Sequence, residues 1–143
     1  MTALHVVLGV GVVAVNLAAG LLGAYRWRRD EYSRVFWPLL RVGQALVVVE
    51  AIDGSVLLLM GKDLPRLHLI YGLVPLGVAF IAEQLRLTSA QAILDQRGVS
   101  SARELTPEQQ EDAALDILRR EMGVMAVSAL VVAALGLRAG GVL

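Results

Sequence analysis

Four stretches of the sequence are too long and too apolar to be anything but membrane-crossing helices, and this constrains the fold more than any other feature. A bilayer core about 30 Å thick needs ~20 mostly apolar residues per helix. The stretches run from Ala3 to Ala24, Phe36 to Met60, Leu67 to Leu85 and Met122 to Leu137, with polar segments between them. Composition agrees: 57% of the 143 residues are hydrophobic and the mean hydropathy is +0.66, which leaves too little polar surface to coat a water-soluble domain of this size. The expected fold is therefore all-α, a single transmembrane four-helix up-down bundle over 1–143.

Charge placement orients the spans. The connection after the first span carries Arg26, Arg28, Arg29 and Arg34, and the one after the third carries Arg86, Arg97, Arg103, Arg119 and Arg120. The link from Gly61 to Arg66 has only Lys62 and Arg66, and the tail only Arg138. The positive-inside rule makes the first and third connections cytoplasmic and places both termini outside, in a plasma (inner) membrane. Tyr25, Trp27, Tyr32 and Trp37 supply an inner aromatic belt. A cleaved signal peptide is the competing reading of the first span, but Arg follows its apolar run and no Lys or Arg precedes it.

The third connection, about 86–121, reads as a cytoplasmic helical hairpin that extends the third and fourth helices. Leu85, Leu87, Ala90 and Leu94 continue the helical spacing until Gly98 and two serines interrupt it. Thr106, Pro107 and Gln109 then provide an N-cap, a proline at the first helical position and the far end of a capping box. Ala114, Ile117, Leu118, Met122 and Met125 carry one apolar stripe into the fourth span. Such a hairpin either stabilises the bundle or docks a soluble protein.

Several classes are excluded. Net charge is zero, and no basic run is interleaved with aromatics, so nucleic acid is not a partner. The absence of cysteine removes disulfides, thiolate metal sites and thiol catalysis. No phosphate loop, H-E-x-x-H or nucleophile elbow occurs, and no catalytic residue is assigned. An enzyme is the less favoured reading. The preference for Ala, Val, Leu, Gly and Arg suits a bacterial gene of high GC content.

Packing faces in membranes are marked by small and polar residues. His5, Gly9, Val12, Asn16, Gly20 and Gly23 share one arc of the first span, and His68, Gly72, Pro75, Ala79, Glu83 and Arg86 one arc of the third. Gly43, Val47, Glu50, Asp53 and Gly54 face one way on the second, and Met122, Met125, Ala126, Ala129, Ala133 and Gly136 on the fourth. Leu4-His5 followed by Gly9 recurs as Leu67-His68 followed by Gly72, which hints at duplication of a two-helix unit. Near the inner surface Arg41, Glu83 and Arg86 form an expected ion-pair cluster that fixes helix order.

His5 and His68 are the only histidines, and the expected topology puts both at the outer end of parallel, diagonally opposed helices. Two neutral imidazoles so placed can ligate one iron axially, with Gly9 and Gly72 leaving room for a flat macrocycle. This pattern resembles the outer haem site of small b-type bundle cytochromes, and the resemblance implies haem b held by His5, His68, Gly9 and Gly72. Glu50 and Asp53 stand one turn apart inside the second span, where an ionisable side chain costs roughly 2.5–3.5 kcal/mol. They complete a metal set of His5, His68, Glu50 and Asp53, act as acceptors behind the histidines, form a proton-accepting pair, or hydrogen-bond to Ser55, Tyr71 or Asn16.

The stretches L-H-L-I-Y-G-L-V-P-L and A-E-Q-L-R in the third span, with R-R-E-M-G-V-M-A entering the fourth, resemble small four-span membrane proteins of high-GC bacteria. The likeness covers mainly the second half of the chain and implies fold and membrane location but no activity. Two functions are open, the first favoured because most small bundles with scattered polar residues hold no cofactor, and a transporter or proton path is a weaker third. One is an accessory or scaffold subunit in the lipid bilayer, binding protein partners through its hairpin or forming a homo-oligomer. The other is a b-type haem- or metal-binding membrane redox protein using His5 and His68.

Overall fold

The structure is a computed structural model that describes residues 3–62 and 66–142; Asp63, Leu64 and Pro65 of the short second connection lie outside the described residues. The described residues are helical and contain no strand. They form α1 (Ala3–Arg28), α2 (Phe36–Leu59), α3 (Arg66–Leu87), α4 (Ser89–Gln96), a single 3-10 turn (Ala102–Glu104) and α5 (Pro107–Ala139). Helices α1, α2, α3 and α5 are each long and apolar enough to cross a membrane.

Small residues set the packing. Helix α1 lies along both α2 and α5, α3 lies along α5, and α2 meets α3 only weakly. The α1–α5 contact is so close that a Cβ on Gly20 would stand 2.6 Å from Leu130, and one on Gly136 2.7 Å from Val13. Gly23 fits in the same way against Phe36 and Ala126. With no hydrophobic drive between helices in lipid, this closeness is where dispersion attraction accumulates. Of the predicted inward arcs, His5, Val12, Asn16, Gly20 and Gly23 of α1 and Met122, Met125, Ala126, Ala129 and Ala133 of α5 are buried, Gly9 and Gly136 are half-buried, and Ala19, outside the predicted arc, is buried as well. Phe36 and Leu40 of α2 complete the core at the end where α1 closes and α2 begins.

Asn16 locks α1 to α2. Its amide donates to the Val12 carbonyl at 2.8 Å and to the Gly43 carbonyl at 3.3 Å, and a Cβ on Gly43 would meet the Asn16 side chain at 2.9 Å. A buried amide in lipid must find partners, and only glycine permits this approach.

The helical spacing beyond α3 continues, with one interruption earlier than the expected stop at Gly98. At Thr88 the hydroxyl bonds back to the carbonyls of Gln84 and Leu85, and α4 begins at Ser89. Such back-bonding competes with the helix ladder and bends it. The chain then turns at Gly98, whose φ of +71° lies in the left-handed region that glycine adopts without strain. The full capping box forms at Thr106 and Gln109, starting α5 where the sequence placed it. Helix α4 packs on the first turns of α5 through Ile93 and Ala113, and Arg97 bonds to Asp116 at 2.7 Å and to the Gln109 carbonyl at 3.1 Å.

Candidate functional site

The polar residues of the spans gather into two clusters. The first joins α2, α3 and α5. Glu83 accepts from Arg41, from Gln44 at 2.9 Å and from Arg86 at 2.9 Å. Arg86 also approaches Glu121 at 3.6 Å. The expected Arg41, Glu83 and Arg86 cluster is present, and Gln44 and Glu121 extend it.

The second cluster joins α1, α2, α3 and the C-terminal end of α5. His5 is buried, only 5% exposed, and its Nδ1 stands 2.9 Å from Asp53 Oδ2 and 3.3 Å from Glu50 Oε1. His68 is partly buried and its Nδ1 lies 3.1 Å from the carbonyl oxygen of Ala139. That carbonyl ends α5, where the helix has no amide to offer it, so the imidazole N–H supplies the missing donor.

The remaining ring nitrogens point at each other. His5 Nε2 and His68 Nε2 are 3.4 Å apart. The ring centroids are 5.7 Å apart and the planes are tilted by 58°. The centroid separation equals the nitrogen gap plus the radius of each five-membered ring, so the imidazoles meet end to end along one axis.

Tautomers are assigned from the hydrogen-bonding pattern. A carboxylate and a carbonyl can only accept, so each Nδ1 carries the proton it donates, and the Nε2–Nε2 contact is a hydrogen bond when one of the two rings carries a second proton. A proton or a metal cation on the axis between the two nitrogens makes a favourable contact with both. A shared proton draws partners to about 2.7–3.2 Å, and a metal with bonds of about 2.0–2.1 Å holds collinear nitrogens about 4 Å apart. The observed gap falls between the two.

Glu50 and Asp53 stand behind His5, on the side away from His68. In this position they act on the ring through its Nδ1, the arrangement that fixes a ligating imidazole's orientation and raises its basicity. One oxygen of Glu50, Oε2, is buried with no hydrogen-bond partner. Among the described residues no group of three or more His, Asp or Glu side chains is arranged to hold a metal ion. The other expected partners of the carboxylates are used elsewhere: Ser55 bonds to the Ala51 carbonyl of its own helix, Asn16 holds Gly43, and Tyr71 lies under the Arg138 guanidinium.

The two glycines of the repeated motif differ in surroundings. A Cβ on Gly72 would meet nothing within 4 Å, whereas one on Gly9 would stand 3.3 Å from Glu50 Oε1. Gly54 supplies the other close approach, its Cβ position 3.5 Å from His5 Cε1. Sequence reasoning grouped Gly54 with the α2 face but missed its role beside His5, and it missed Ala139 altogether, because a backbone carbonyl leaves no mark in residue type. No family model, curated protein or solved structure matches the chain.

Proposed function

We propose that the chain is a membrane redox protein that holds one b-type haem iron between His5 and His68. The observation that carries this reading is the end-to-end meeting of the two Nε2 atoms, each ring anchored through its Nδ1. Three features favour haem over a bare ion. The nitrogens are collinear, as trans axial ligands are, whereas a tetrahedral ion would bend the axis. The protein offers only these two nitrogen donors on the axis; a zinc site takes three or four ligands from its protein, while haem iron arrives with four. The open flank at Gly72 lies one turn from His68, where a macrocycle edge would pass.

In this reading the four spans form an up-down bundle in the plasma (inner) membrane of a bacterium, with both termini outside and α4 and the first half of α5 as a cytoplasmic hairpin. The Arg-rich connections after α1 and α3 support that orientation. The haem then lies near the outer surface. His5 and His68 would hold it, Asp53 and Glu50 would orient His5 and favour a positive charge there, and the Ala139 carbonyl would orient His68.

The test is the visible spectrum of the detergent-purified protein, oxidised and dithionite-reduced, after expression with haem precursor. A Soret band with sharp reduced α and β bands, lost in His5→Ala and in His68→Ala, is expected. A folded, colourless protein overturns the haem reading and leaves the pair sharing a proton.

The accessory-subunit reading has one observation of its own. Leu115 and Leu118 stand one turn apart on the first half of α5 and are 60% and 40% exposed, an apolar pair suited to a protein partner. Cross-linking from Leu115 in whole membranes tests it, and labelling by lipid alone counts against it.

A further inference from the structure

The opposite end of the molecule carries a second site. A groove of about 580 Å³ runs between α3 and α5, with the end of α1 closing its inner mouth. Its floor is made of small buried residues, Ala82 and Gly123, and its walls of exposed Ile81, Val127 and Val131. Trp27 lies across Gly123, where a Cβ would stand 2.7 Å from the indole. The lining is apolar apart from Ser128 and, at one end, Trp27 and Arg120.

We infer that this groove holds one acyl chain of an anionic phospholipid from the inner leaflet, with the phosphate at Arg120 and Trp27. Length argues for a lipid chain. From Arg120 to Val131 the groove follows α5 for about 16 Å, which matches the half-thickness of about 15 Å of a 30 Å hydrocarbon core.

Charge argues for an anionic headgroup. Neighbouring arginines are committed: Arg119 pairs with Asp30 at 2.8 Å, and Arg86 with Glu83 and Glu121. Among the described residues Arg120 has no ion-pair partner, and it stands exposed at the groove mouth. A guanidinium there attracts a phosphodiester, and a choline cation attached to that phosphate weakens the attraction. Trp27 adds an amphipathic ring at headgroup level with its indole N–H as donor. The site shares no residue with the histidine cluster, so its occupancy and the visible spectrum report separately.

The test uses Trp37→Phe, which leaves Trp27 as the single indole of a chain with two tryptophans. In phosphatidylcholine vesicles, brominated phosphatidylglycerol should quench Trp27 at roughly a fivefold lower mole fraction than brominated phosphatidylcholine. Arg120→Gln should abolish that preference. Equal quenching by the two lipids, or a preference that survives Arg120→Gln, overturns the proposal. Trp37 packs edge-on to Phe36, so a second measurement uses the wild-type fold. In native mass spectrometry after delipidation, phosphatidylglycerol should remain bound in preference to phosphatidylcholine and be lost in Val127→Trp, which fills the groove from its exposed wall. Retention unchanged in Val127→Trp overturns the proposal independently.

Discussion

The two polar clusters both tie α2, α3 and α5 together, at opposite ends, with α1 joining only the His5 cluster, and they differ in how their charges are balanced. At the Glu83 end two carboxylates, Glu83 and Glu121, are matched by two guanidiniums, Arg41 and Arg86, with Gln44 as a further donor. At the His5 end, the two carboxylates Glu50 and Asp53 face the one imidazole of His5 among the described residues. A balanced cluster needs nothing more in order to hold helices together. The His5 end has fewer cationic groups than carboxylates among the described residues, and that imbalance is what the proposed cation between the histidines would address.

The sharpest way to break the comparison is at the histidines. Removing either ring, in His5→Ala or His68→Ala, should eliminate the low-spin haem spectrum, because a single axial ligand gives different bands. A low-spin spectrum that persists in one variant would locate the iron elsewhere.

Asp53→Ala should act one step back. Loss of the Nδ1 partner is expected to weaken haem affinity by about 10–100-fold, with the band positions nearly unchanged. Titration of apoprotein with haem measures it, and Asp53→Asn, which retains an acceptor, should recover much of the loss. If Asp53→Ala binds haem as tightly as wild type, the carboxylate does not position His5.

The Glu83 end should show the opposite pattern. Glu83→Ala strands Arg41 and Arg86 and should lower stability by roughly 1–3 kcal/mol, less than for a fully buried pair because the groups are partly exposed. Thermal unfolding in detergent reads this, and the haem spectrum should stay as it was. A spectral change on Glu83→Ala would mean that the two ends are coupled.

The smallest effect is expected at Ser55, whose hydroxyl, among the described residues, bonds to the Ala51 carbonyl of its own helix. Ser55→Ala should change stability by less than about 0.5 kcal/mol and leave haem affinity unaltered. A large effect would place Ser55 in the site after all.

Much of this architecture is legible in residue order. Apolar length marks α1, α2, α3 and α5, and Thr106-Pro107 with Gln109 marks the start of α5. The arc from His5 to Gly23 follows from the 3.6-residue period alone. The break at Thr88 was less visible, since its cause is a hydroxyl choosing between water and the preceding carbonyls, a competition that residue type leaves undecided.

The repeated L-H-x-x-x-G motif shows where sequence stops. Both copies put a histidine and a glycine on one helix face, yet Gly9 looks onto Glu50 while Gly72 looks onto open space. His5 is held by a side chain and His68 by the end of α5. Periodicity along one helix determined which residues travel together. Rotation and depth between helices were decided by tertiary packing, where Gly20, Gly23 and Gly136 let α1 and α5 close to contact and so set which atoms meet across the core.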